Sequence, residues 1–192
     1  MSSRTHVSEE SLASSALARV RVPRFVLVGG LGLGFTLRAV LDRLPRDATV
    51  LVSEFVPALV AWNHTHVAHL AGRPLDDPRV RAILRDVFDV ISESTALDVI
   101  LLDVDNGPTR IAHAANARLY GESGARACWA ALRPSGVLAL WSAAEDARYA
   151  STLERAGFEV EVKRVPSHAA SGARDVLFLA TKNDRSPPRH PP

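Results

Sequence analysis

The chain has 192 residues, 47% apolar and 23% charged, with a formal net charge of +2; that describes one globular domain able to bury roughly 70% of its unfolded surface. The near-neutral charge, with no Lys/Arg cluster among aromatics, argues against nucleic acid as a partner, and the single cysteine, Cys128, excludes a disulfide framework and a Cys-based zinc site. Residues 1–6 lack the apolar core of a signal peptide and no apolar run reaches the roughly 18 residues of a membrane span, so a cytoplasmic protein without membrane contact is expected.

Residues 8–19 read as a short amphipathic helix with Leu12, Ala16 and Leu17 to one side, Ser8 as its cap and Glu9 and Glu10 in the first turn. Residues 24–28 are a continuous apolar run ending in glycines, the pattern of a strand buried on both faces. A helix is predicted over 35–44, closed by Pro45, then a strand over 49–53 ending at Glu54 and a helix over 57–70. His64, His66 and His69 invite a metal reading. Their i, i+2, i+5 spacing does not gather three ligands on one helical face, and no carboxylate sits among them, so no metal is expected. Residues 72–78 form a turn-rich loop, 80–84 a third strand and 87–91 a short helix.

The fourth strand, 98–102, ends at Asp103, and 106–118 reads as irregular or weakly helical. A helix over 124–132 leads through Arg133-Pro134-Ser135-Gly136 into a fifth strand, 137–141, and another helix over 145–156. Residues 158–164 and 175–181 form a closing antiparallel pair, and the tail, with four prolines in 183–192, is predicted to be disordered. The domain plan is an N-terminal helical segment (1–22), a Rossmann-like nucleoside-binding catalytic domain (23–182) and the Pro-rich tail (183–192). Strands alternating with helices give an α/β, doubly wound, mostly parallel seven-stranded sheet, with helices on both faces and an antiparallel C-terminal strand.

In such sheets ligands bind where the strands end, near the point at which strand order reverses. The residues to inspect are therefore the glycine turn, Glu54, Asp86 and Asp103. Gly30, Gly32 and Gly34 allow close backbone approach and positive φ, and the following helix offers free N–H groups to a polar ligand. A dinucleotide pattern begun at Gly30 needs glycine at 35, where Phe35 stands. The observed G-x-G-x-G suits an S-adenosylmethionine-type ligand, which has no pyrophosphate. Glu54 is placed to accept hydrogen bonds from both ribose hydroxyls, and Asp86 to accept from an adenine amino group. Asp103-Val104-Asp105-Asn106-Gly107-Pro108 sets two carboxylates and an amide after an apolar strand. If the strand continues, Asp103 and Asp105 reach the same side, where they can hold an ammonium ion and take a proton from an attacking amine. Tyr120 and Trp141 are candidates to line the pocket of a cationic acceptor.

Across residues 1–181 the chain resembles the spermidine synthase family, the aminopropyltransferases built on the class I methyltransferase fold. The resemblance rests on residues 26–38 (VLVGGLGLGFTLR), Asp77-Pro78-Arg79-Val80, Leu101-Leu102-Asp103 with Gly107-Pro108, and residues 132–138 (LRPSGVL). It implies transfer of an aminopropyl group from decarboxylated S-adenosylmethionine to a small amine such as putrescine. By the same resemblance Asp103 is the catalytic acid, Glu54 the ribose ligand, Asp86 the adenine contact, and a homodimer the expected assembly. Gly32 stands where the family carries the Asp that holds the aminopropyl ammonium. That change favours an alternative, an S-adenosylmethionine-dependent methyltransferase acting on a small molecule. Val28, where methyltransferases of this fold usually have an acid, argues the other way. A non-catalytic binding protein on the same fold is the third reading.

Overall fold

A computed structural model describes residues 6–104, 107–108, 114–166 and 174–183, with only the backbone at 114 and 115. The chain forms the strands β1 (Phe25–Gly29), β2 (Thr49–Glu54), β3 (Val80–Leu84), β4 (Leu97–Leu102), β5 (Leu132–Ser142), β6 (Phe158–Pro166) and β7 (Arg174–Lys182), with β3 an exposed edge strand. They form one seven-stranded sheet in the order β3-β2-β1-β4-β5-β7-β6. β1 pairs in parallel with both β2 and β4, so the strand order reverses between β1 and β4. β7 is antiparallel to both its neighbours, β5 and β6. The doubly wound, mostly parallel sheet with an antiparallel C-terminal strand is therefore as the patterning predicts.

Alternate residues of the central strands feed two cores. Val26, Val28, Val99 and Leu101 pack toward the helices α1 (Val7–Leu17) and α2 (Phe35–Leu41), against Leu12, Ala16, Leu37 and Leu41. Leu27, Ile100, Leu102 and Leu138 pack on the other face, toward α4 (Val87–Glu93), α5 (Glu122–Ala131) and α6 (Ala147–Arg155). The period of two is what puts neighbours in sequence into different layers. β4 is buried at every position, as a central parallel strand should be.

Four local expectations change. The helix predicted over 57–70 divides into α3 (Pro57–His64) and a 3-10 turn, Ala68–Ala71. Thr65 turns its hydroxyl back to the carbonyl of Ala61 and leaves helical backbone angles, a competition that ends helices. The fifth strand begins at Leu132, and the turn expected at 133–136 is absorbed into it with a register shift and a positive φ at Ser135. β4 stops at Leu102, so Asp103 is not an interior strand residue as assumed for the Asp103/Asp105 alternation. At the first helix His6 holds the cap position with no side-chain cap bond, while Ser8 is buried and bonds Glu9. The disorder predicted for the tail falls, from 184 on, outside the described residues. Among the described residues no helix is long and apolar enough to cross a membrane.

Candidate active site

The reversal between β1 and β4 opens a cleft over the strand ends, and the glycine turn forms its floor. Gly30, Gly32 and Gly34 have φ of 85°, 51° and 87°, the left-handed region that favours glycine. Gly30 has a second reason to lack a side chain: a Cβ there would lie 2.5 Å from the carbonyl oxygen of Asp103. The turn is tied down on three sides. The Gly30 N–H donates to the Ser53 carbonyl at 3.0 Å, the Leu31 N–H to Glu54 at 3.0 Å, and the Asn63 amide to the Gly32 carbonyl at 2.8 Å. Gly30 and Gly32 line the cleft. Gly34 caps α2 instead, packed against Pro74 and Asn63.

Glu54, Asp86 and Asp103 all reach the same cleft, which encloses about 200 Å³. Glu54 is buried at the end of β2. Its Oε2 accepts the Leu31 N–H and its Oε1 accepts the Val56 N–H at 2.8 Å, so it braces the turn from below. A carboxylate accepts about four hydrogen bonds, so this bracing leaves capacity for ligand hydroxyls. Asp86 caps α4, accepting the Phe88 N–H at 2.8 Å, while its other oxygen lies 3.1 Å from the Arg118 guanidinium. Arg118 also stacks over the Phe88 ring, which fastens the segment after β4 to the rim of the cleft.

Asp103 follows the last residue of β4. Its N–H still continues the ladder, donating to the Gly29 carbonyl at 2.9 Å. Its carboxylate accepts a hydrogen bond from the Thr36 hydroxyl at 2.8 Å. Among the described lining residues three are carboxylates and one, Arg85, is a cation held in a two-pronged pair with Glu93, while Asp86 is itself paired with Arg118. A site of this sign concentrates cationic ligands. Phe55, Val56, Leu59 and Val87 supply an apolar wall. Phe55 is 66% exposed, so the wall extends to the cleft mouth.

Two predicted residues lie elsewhere. Tyr120 is buried in the core beside α6, edge-on to Tyr149 at 5.9 Å, and Trp141 packs against the core under α1 and α2. Neither is among the described residues lining the cleft: Tyr120 is buried in the turn before α5, and Trp141, near the end of β5, is half-buried against the core. Asp105 and Asn106 fall outside the described residues. Sequence reading missed Thr36, Asn63 and Asn116, the last a cleft-lining residue. A partial signal existed for Thr36: it sits in the first turn of the helix that the glycine turn opens, beside the strand end bearing Asp103.

The sheet order, the G-x-G-x-G turn between β1 and α2 and the acids at successive strand ends define a class I methyltransferase-like domain. No family model matches the chain. It is 30% identical over 139 residues to polyamine aminopropyltransferase 1 of Hyperthermus butylicus, a match covering 69% of this chain and 46% of that protein. A spermidine synthase solved with the transition-state analogue AdoDATO superposes with a TM-score of 0.74 at 20% identity, covering 92% of this chain and 59% of its own. Human methyltransferase-like protein 13, solved with SAH, gives 0.69 at 21% identity over 97% and 87% of the two chains. Within its class, this chain is a relative of the polyamine aminopropyltransferases, the spermidine synthase family. It spans less than half the length of the curated relatives it matches.

Proposed function

We propose that the domain transfers an aminopropyl group from decarboxylated S-adenosylmethionine to a small amine acceptor, putrescine or a related diamine. The observation that carries this reading is the Asp103 carboxylate, held beside the glycine turn in a cleft lined by three acids and bordered by an apolar wall. The relationship to polyamine aminopropyltransferases supports it.

Each group has a part in the chemistry. The turn at Gly30 and Gly32 lets the nucleoside approach the backbone, Glu54 offers acceptors to ribose hydroxyls, and Asp86 offers one to the adenine amino group. The acidic cleft favours a ligand carrying a sulfonium and an ammonium. Asp103 holds the acceptor amine and takes its proton as the amine nitrogen bonds to the propyl carbon next to sulfur. The carbon–sulfur bond breaks, its electron pair stays on sulfur, and methylthioadenosine leaves neutral. Because the sulfonium is already a good leaving group, the protein supplies mainly orientation and one base.

Gly32 favours a second reading, methyl transfer from intact S-adenosylmethionine. Its position in the cleft carries no side chain to repel a methionine carboxylate. Calorimetry with S-adenosylmethionine, its decarboxylated form and methylthioadenosine separates the two. The aminopropyl reading expects the decarboxylated form to bind more tightly than the intact one. Preference for the intact form selects the methyltransferase, and binding of none removes both.

A further inference from the structure

Thr36 occupies the second position of α2 and is only 3% exposed, yet its hydroxyl points at a group the glycine turn already surrounds. It donates to Oδ2 of Asp103 at 2.8 Å, across a sequence separation of 67 residues. The backbone of Asp103 is fixed independently. Its N–H donates to the Gly29 carbonyl at 2.9 Å, and its carbonyl oxygen lies so close to Gly30 that a Cβ there would approach to 2.5 Å. Backbone anchoring does not by itself set the two side-chain torsions of Asp103. The Thr36 hydrogen bond restrains that rotation, and a threonine within a helix has few χ1 choices of its own.

We propose that Thr36 is a positioning residue for Asp103, holding its carboxylate in one orientation toward the acceptor amine. The inference rests on reading Asp103 as the group that takes the amine proton. The consequence is mechanical: the element that receives the nucleoside also aims the base, so ligand and base share one frame. Proton transfer depends on such alignment, and a carboxylate that loses a fixed, buried donor loses part of its effect without any loss of ligand affinity.

The test compares Thr36→Val, which keeps the shape and removes the donor, with Thr36→Ser, which keeps the donor. Turnover is measured with decarboxylated S-adenosylmethionine and a set of diamines including putrescine, and methylthioadenosine binding by calorimetry. In Thr36→Val, kcat is expected to fall about tenfold or more. The KM for the nucleoside substrate and the affinity for methylthioadenosine stay within about twofold of wild type, because neither depends on the orientation of the base. Thr36→Ser regains most of the lost kcat. Should Thr36→Val fail to fold, Thr36→Ala removes the same hydroxyl and is read in the same way. Wild-type kcat in the Val variant, an equal loss of kcat and nucleoside affinity, or a Ser variant as impaired as Val each overturns the inference alone. A wild-type chain that transfers nothing to any of the diamines overturns the functional reading and this inference with it.

Discussion

Replacing Gly30 by alanine perturbs the turn at the point where the ligand loop and the proposed base meet. Alanine at a φ of 85° carries a conformational cost of about 1–2 kcal/mol. It also meets backbone: the new Cβ would lie 2.5 Å from the Asp103 carbonyl oxygen and 3.2 Å from its carbonyl carbon. Neither side can withdraw cheaply, because the Asp103 N–H bonds Gly29 at 2.9 Å and the Gly30 N–H bonds Ser53 at 3.0 Å. Overpacking of this kind adds about 1–3 kcal/mol, for a sum of about 2–5 kcal/mol. Gly72 is the matched control. Its φ is 64°, but the nearest atom to an added Cβ is Arg38 Cδ at 3.9 Å, so only the conformational cost of about 1–2 kcal/mol applies. Urea titrations should therefore place Gly30→Ala below Gly72→Ala by at least about 1 kcal/mol at unchanged slope. In a domain of this size that is a further loss of about 2–4 °C in Tm. Calorimetry should find nucleoside binding lost in Gly30→Ala and kept in Gly72→Ala. Equal destabilisation of the two variants would refute the close packing of the turn on Asp103.

Three further outcomes are expected. Asp103→Asn should abolish transfer while methylthioadenosine binding stays near wild type; persistent turnover would remove Asp103 as the base. Hydrogen bonds from the Arg79 guanidinium hold the Asp77 carboxyl at about 2, below its ordinary 3.8. A depressed folded-state value contributes stability above the unfolded value that is lost as pH falls toward the folded one. Asp77→Asn should cost about 1 kcal/mol at neutral pH, after allowance for solvent screening, with the difference shrinking below pH of about 4 and vanishing only below about 2; a difference constant with pH contradicts this. Burial pushes the Cys128 thiol up to about 12, so Ellman's reagent at pH of about 8 should react only at the rate of unfolding. Rapid labelling of the folded protein would be inconsistent with its buried place.

The strands were legible because parallel strands buried on both faces leave unbroken apolar runs, as at 25–28 and 99–102, and because glycines or acids end them. The same rule carried Glu54, Asp86 and Asp103 to one cleft, since in a parallel sheet the strand ends share a side. What it could not give was the second use of those acids. Glu54 braces Leu31 and Val56, and Asp86 caps α4, roles set by backbone N–H groups that only the folded turn brings near. Thr36 and Asn63 escaped for a related reason. Their partners are 67 and 31 residues away, and no periodic pattern links positions so far apart. Tyr120 and Trp141 differ in the opposite direction: aromatic character suggested a ligand, whereas Tyr120 packs edge-on to Tyr149 and Trp141 lies half-buried against the core.

The most direct measurement incubates the purified chain with decarboxylated S-adenosylmethionine and putrescine or a related diamine, and follows both products by mass spectrometry. Aminopropyl transfer predicts methylthioadenosine and the aminopropylated amine in equal amounts, with neither formed by Asp103→Asn. A chain that forms neither product, or that instead releases S-adenosylhomocysteine from intact S-adenosylmethionine with a methylated acceptor, contradicts the account.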